Sequence, residues 1–393
     1  MNRKHWTARI GTAVITLGIL LHTVSCAVAG NTEKTAAPVQ AQTAPVKTGF
    51  YVGSGSRSNG VLHWARLLAY SPQLKLVLID AEDVLNGRLK DLDLLVIPGG
   101  SSNLQCKVLT PEGMEKVRDF VAAGGSYAGI CAGFHCTLNR PERLRLMPYE
   151  YLTGAGGNLA LLAVDISEKG GKVMGVKPGR YMARYSHGPI AKPGKKPGEG
   201  WGETLGVYKS TVGPVGRPGG NFFDAPAVIH GKFGKGKVIA TSFHPESYPS
   251  THPIALGCIY AVTGVRPAPV FPAKNPRPVR VGYYGPGIAG KYCIRAMLAL
   301  DRHPDLDVIF IDGVSLNQGM LDHLDVFVLP HGIKSTYKGL FTRPFQKEQI
   351  EKFLRRGGLL LASGNAAEYL PDHPNAKRLP ADADFVNFAL EAR

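Results

Sequence analysis

The chain has 393 residues, of which 44% are hydrophobic and 19% charged, with 48 Gly and 29 Pro. That is ordinary globular composition with ample material for a core. It excludes a disordered or collagen-like chain, and the length suits two domains. The formal net charge is +16, and the six cysteines, at 26, 106, 131, 136, 258 and 293, match no metal-binding spacing.

Reading from the N-terminus, a basic start (Arg3, Lys4, Arg9) precedes the apolar run "IGTAVITLGILL". This run is too short to span a bilayer as a mature helix and reads as an export signal over residues 1–29. Two processing patterns compete. Ala27-Val28-Ala29 fits a signal peptidase site, and "TVSC" is a weak lipobox that would leave a lipidated Cys26 as a membrane tether. Residues 30–47 then form a polar, flexible tether. Export to the periplasm or cell envelope is expected, with no nucleic-acid partner.

The body alternates short apolar runs with helical patterns. "KLVLIDA" (Lys75–Ala81), "DLLVIPGG" (Asp93–Gly100), "SYAGI" (Ser126–Ile130) and "GKVIATSFH" (Gly236–His244) suit buried parallel strands. Between the second and third, "TPEGMEKVRDFVAAGG" predicts a helix capped by Thr110, with Pro111 as its first residue and Gly124 as its end. Met114, Val117, Phe120 and Val121 form its inner stripe. The alternation predicts an α/β fold with a doubly wound, three-layer flavodoxin-like parallel sheet, whose ligands bind beyond the carboxyl ends of the strands. "VGSGSRSNG" (Val52–Gly60) is either a small-ligand loop or a plain turn. The basic stretch Lys169–Lys209 reads either as attraction to an anionic surface or, preferably, as a solvated loop around "KPGKKPGEG".

A Pro-rich linker, residues 266–278, follows a first domain over 48–265. Beyond it the sequence repeats itself. "SPQLKLVLIDAEDVL" parallels "HPDLDVIFIDGVSL", and "LKDLDLLVIPGG" parallels "LDHLDVFVLPHG". Residues 279–393 therefore read as a degenerate, shortened copy. Aligning the two puts Gly364 opposite Cys131 and His331 opposite Gly99. With no nucleophile and no His-Pro-Glu segment, the copy is expected to be non-catalytic, to dock on the first domain and to add stability or a pocket wall.

Chemistry concentrates at "GGSYAGICAGFHC" (Gly124–Cys136). A strand, a cysteine between small residues and a helix start make a nucleophile elbow, in which the helix N-terminus favours the thiolate. The N–H of Ala132, with that of Gly100 in the "PGG" turn, would hold a developing oxyanion. "SFHPES" supplies a base, His244, and Glu246 to orient it. Gly99, His135 and His187 are pocket candidates; a role in packing suits His135 and His187 at least as well. Cys106 and Cys136 are either a disulfide near the site or simply buried. No metal or cofactor is expected.

The segments "VIPGG", "GGSYAGICAGFHC", "GKGKVIATSFHPES" and "YYGPGIAGKYC" resemble the class I glutamine amidotransferase-like superfamily. More closely, they resemble the domain at the N-terminus of biotin–protein ligases and its stand-alone bacterial form. The resemblance implies a Cys-His-Glu triad with Cys131 as nucleophile, His244 as base and Glu246 as orienting carboxylate. Glutamine-hydrolysing members usually carry Gln where Cys136 stands, and neither a synthetase nor a biotin ligase domain is read in the chain. The expected function is that of an exported cysteine hydrolase acting on a small-molecule or peptide amide bond. The alternative is a non-catalytic ligand-binding or envelope-associated module that retains the pocket.

Overall fold

The computed structural model describes residues 44–154, 159–194, 200–210 and 223–392. The export signal, Cys26, most of the tether and the centre of "KPGKKPGEG" lie outside these. From Ala44 onward the chain clusters as one unit, built on two sheets.

The first half contains strands β1 (Val46–Tyr51), β2 (Leu74–Ile79), β3 (Leu94–Ile97), β4 (Ser126–Ile130), β5 (Tyr149–Gly154), β6 (Leu159–Ile166), β7 (Gly179–Ser186), β8 (Pro189–Pro193), β9 (Gly200–Tyr208), β10 (Pro226–Phe233) and β11 (Gly236–Thr241), nine of which form the larger sheet. The order of that sheet is β2-β1-β3-β4-β11-β10-β9-β6-β7, while β5 and β8 pair separately as an antiparallel ribbon. From β2 to β11 the strands are parallel; from β11 to β7 they are antiparallel.

Helices α1 (Asn59–Ala69), α2 (Ala81–Leu85), α3 (Ser102–Ala123), α4 (Ala132–Thr137), α5 (Glu168–Met174) and α6 (His252–Thr263) accompany this sheet. Alternate strand residues feed two cores. Phe50, Val96, Ala128 and Ile130 pack with α1 and α6, whereas Tyr51, Leu95, Ile97 and Tyr127 pack with α3 and α4. The parallel part is thus buried on both faces, as its near-continuous apolar runs require. The helix read from Thr110 to Gly124 begins earlier, at Ser102, whose neighbour Ser101 caps it. Thr110, at φ 61° and ψ 168°, breaks α3 just before Pro111, so the capping signal in the sequence marks an internal break.

The reading of Lys169–Lys209 as a solvated loop is corrected. Apart from residues 195–199, which are not described, the stretch contains most of α5 and all of β7, β8 and β9. Its charges pair between elements: Arg180 on β7 with Asp165 on β6 at 2.7 Å, and Lys169 on α5 with Glu203 on β9. Likewise, the expected purely parallel sheet carries a four-stranded antiparallel extension.

The second sheet contains β12 (Val279–Tyr284), β13 (Leu306–Ile311), β14 (Val326–Leu329), β15 (Leu359–Ser363) and β16 (Ala376–Leu379), all parallel, in the order β13-β12-β14-β15-β16. Its first four strands follow the same order as β2-β1-β3-β4. The registers correspond too: Val46 pairs with Leu74 and Val279 with Leu306, Thr48 with Leu94 and Val281 with Val326.

Helix α7 (Gly290–Arg302) packs against α1. One apolar core runs through both halves, joining Trp64 and Leu68 to Met297 and Val281. Polar contacts reinforce it. Arg66 Nε donates to Asp301 Oδ2 at 2.8 Å, and Asn59 Nδ2 donates to Phe310 O at 3.3 Å. The linker is strapped to the first half by Val270 N–H on Tyr70 O (2.8 Å).

Candidate functional site

Strand β4 runs through buried Ser126–Ile130 and delivers the chain to Cys131, which stands at φ 52°, ψ −97°, immediately before α4. A non-glycine residue at positive φ is strained and persists only where its surroundings fix it. Here Cys131 N–H donates to Thr241 O at 2.7 Å, and Cys131 O accepts from His135 N–H at 3.0 Å. The elbow is thus pinned to the end of β11. Three residues beyond Thr241 comes His244, whose N–H donates to Arg184 O at 2.8 Å.

Around that turn the side chains converge. His244 Nδ1 hydrogen-bonds Glu246 Oε1 at 2.7 Å, and Glu246 is fully buried. The Cys131 sulfur lies close enough to the His244 ring to act on it electrostatically. Burial drives the imidazole pKa down, but the Glu246 carboxylate and the Cys131 sulfur outweigh it and raise the ring to about 10. Cys131 Sγ lies 3.4 Å from Ser186 O, and its side chain is largely buried.

Gly99 makes room for this arrangement. A Cβ there would lie 2.6 Å from His244 Cε1 and 3.5 Å from Cys131 Cβ. Gly99→Ala is therefore expected to push the ring aside and to cost about 1–3 kcal/mol, the range for overpacking a close-packed site. Urea unfolding of the variant checks this; an unchanged midpoint would mean that the ring moves freely.

The equivalent position in the second half is filled differently. Gly364 follows β15 with φ 52°, the same value as Cys131. A Cβ on Gly364 would lie 2.0 Å from His331 Nδ1, and Asn365 N–H donates to that nitrogen at 3.4 Å. The His331 ring therefore occupies the space that a side chain at the elbow would need.

A cavity of about 350 Å³ opens beside His244. Arg57, Ser58, Asn59 and Gly60 line it from the start of α1, Arg184 and Ser186 from β7, and Pro286, Asp312 and Thr336 from the second half. The Val52–Gly60 loop thus contributes to its wall. Arg184 Nη2 meets Asp312 Oδ2 across the cavity at 3.3 Å. Sequence reasoning missed Arg184, Ser186 and the second-half residues, because no local motif marks a wall assembled by docking.

The structure thus brings Cys131, His244, Glu246 and Gly99 together. Ala132 is the first residue of α4, where an amide lacks an intrahelical partner, and Gly100 closes the turn after β3. Two further candidates stand apart from the triad, one distant and one close. His135 Nδ1 hydrogen-bonds Ser102 Oγ at 2.8 Å and its ring stacks on Tyr151, outside the cavity lining; burial, with Arg143 and Arg140 nearby, lowers its pKa to about 4. His187 sits at φ 56° between β7 and β8, outside the lining as Cys131 itself is, with Nδ1 3.3 Å from Oγ of Ser186, the residue whose carbonyl meets Cys131 Sγ. Among the described residues there is no cluster suited to a metal ion, and no helix is long and apolar enough to cross a membrane.

Among solved structures, similarity extends to a putative ThuA-like protein from Bacteroides uniformis. The identity is 13% and the TM-score 0.43, covering 57% of this chain and 95% of that one. PurLQS from Thermotoga maritima matches at 15% identity and TM-score 0.42, covering 55% and 98%. A putative ThuA-like protein from Parabacteroides merdae matches at 17% and 0.39, covering 58% and 93%. No curated protein matches the chain. Residues 48–140, from β1 through the elbow and α4, match the family described as biotin-protein ligase, N terminal.

Proposed function

We propose that the protein is an exported cysteine hydrolase of the class I glutamine amidotransferase-like type, with a flavodoxin-like first domain, that cleaves a small amide or peptide bond. The observation that carries this reading is a cysteine on a strained elbow beside a histidine whose Nδ1 is held 2.7 Å from a buried carboxylate. Cys131 attacks the carbonyl carbon, and the Gly100 and Ala132 N–H groups receive the oxyanion. His244 passes the proton to the leaving amine, and Glu246 keeps the ring in register. Water then releases the acyl group, with His244 as base. The match over residues 48–140 supports the family assignment of the elbow segment.

Residues 279–393 serve in this reading as a degenerate copy of the first domain. Its elbow glycine and His331 replace the nucleophile and the space around it, and its surface closes one side of the cavity. In the copy an elbow N–H meets a His331 ring nitrogen; in the first half the corresponding N–H belongs to Ala132, and Gly99 leaves no ring there. This contrast supports Ala132 as an oxyanion donor.

The test is labelling of the full chain with iodoacetamide, followed by peptide mapping. Cys131 is expected to react first among the five described cysteines, and a panel of small amides and dipeptides is expected to release amine with wild type but not with Cys131→Ala. If Cys131 labels no faster than the buried Cys258, the hydrolase reading fails. The burial of Cys131, at 5% exposure, favours one second reading, a ligand-binding module without catalysis. That reading predicts a ligand-induced rise in melting temperature with an unreactive Cys131.

A further inference from the structure

Behind the elbow lies a second pair of thiols that the proposed chemistry does not use. Cys106 stands on the first stretch of α3 and Cys136 on α4. Their Sγ atoms are 3.4 Å apart, and both residues are buried. Beside them is the buried Arg143, whose Nη1 donates to Glu142 O at 3.0 Å and whose Nε has no partner among the described residues. The hydrogen bond with Cys136 holds the Cys106 thiol below its usual range; burial opposes this and the Arg143 guanidinium reinforces it. Cys136 is pushed up by the same hydrogen bond and by burial. Cys106 is therefore the thiol that ionises first and attacks.

We propose that Cys106 and Cys136 form a disulfide that staples the start of α3 to the elbow helix α4. The oxidant is a small disulfide of the glutathione class. The Cys106 thiolate attacks one of its sulfurs and expels a thiolate. Cys136, losing its proton to that leaving group, then attacks the Cys106 sulfur and expels the second. Two protein thiols become one disulfide, and the external disulfide becomes two thiols.

Access comes during folding, or by movement of the short segment Ser102–Leu109 about the break at Thr110. The staple has a consequence for the site. The tied segment enters from the Gly99–Gly100 turn, and α4 begins at Ala132, so the bridge joins the two pieces that carry the proposed oxyanion donors. The cross-link itself does not depend on the hydrolase reading.

The full chain is incubated with oxidised glutathione or with dithiothreitol, blocked with N-ethylmaleimide in denaturant and digested without reductant. A cross-linked peptide joining Cys106 and Cys136 is expected after oxidation, and alkylation of both cysteines after reduction. Reduction is expected to lower the melting temperature by about 5–10 °C. Cys136→Ser should remove that sensitivity; Cys106→Ala removes the other half of the bridge and serves the same test if the first variant does not fold. Alkylation of both cysteines after oxidation, a persistent glutathione adduct on either, or a cross-link to Cys131 instead would overturn the proposal. Cys131 labelling read from the same digest reports on the hydrolase reading separately.

Discussion

His244→Ala is expected to slow iodoacetamide alkylation of Cys131 at pH 7 by about a hundredfold, the scale of losing a positioned acid–base partner. The reason lies in the ring's environment. Burial alone favours the neutral imidazole, yet the Glu246 carboxylate and the Cys131 sulfur raise the ring pKa to about 10. The ring is therefore a cation at neutral pH, and a cation beside a cysteine favours the thiolate, which is the reactive form. The gap between wild type and variant should be wide at neutral pH and narrow above about pH 10, where the ring loses its charge.

Stability follows the same sign. The folded pKa of His244 lies above the unfolded value of about 6.5. Its contribution is thus fully present below about pH 6.5 and is lost as pH rises through about 10. Wild type should lose more stability over that interval than His244→Ala. Equal alkylation rates at pH 7, with circular dichroism showing both proteins folded, would mean that no imidazolium–thiolate pair exists.

The sequence announced those parts of the site whose demands are local. An elbow needs small neighbours and a helix start, and these are written in consecutive residues from Ser126 to Gly133. The turn that carries His244 and Glu246 is equally local, and β11 places it beside β4 because both strands are apolar enough to lie in the middle of the sheet. Strand β4 was legible to the residue for the same reason: all five of its positions are buried.

What stayed hidden depends on partners far along the chain. Strands β7 and β9 read as a basic loop because on an antiparallel extension with exposed positions charge is tolerated, and the counter-charge of Arg180 comes from another strand, Asp165 on β6. The start of α3 was missed because Thr110-Pro111 imitates a helix cap. Asp312 and Thr336 belong to the cavity only because one half docks on the other; the repeat leads one to expect the docking, but no local motif says which residues it brings to the wall.

That docking leads to the second large effect. Asp301→Ala is expected to destabilise the protein by about 3–5 kcal/mol and to lower its melting temperature by about 5–10 °C. Asp301 lies on α7 and is almost wholly buried against α1 of the first half. Its carboxylate accepts from Arg66 Nε at 2.8 Å, from Arg66 Nη2 and from Tyr70 OH at 2.8 Å, and Lys274 Nζ stands 3.8 Å away. Truncation leaves a mostly buried guanidinium without its counter-ion and a buried hydroxyl without its acceptor, and removing one member of such a group costs more than the group contributes net. Arg66 would keep only its bond to Val308 O (2.9 Å) and its position over the Phe310 ring.

Asp301→Asn separates charge from shape, since the amide retains one acceptor for Tyr70 but offers no charge to Arg66; it should fall between wild type and Asp301→Ala. Because the two halves share one apolar core, both variants should melt in a single transition at lower temperature. A first transition at the wild-type temperature followed by a second would show that the halves unfold independently. Docking would then be a surface contact, and the cavity wall that Asp312 provides would not rest on it.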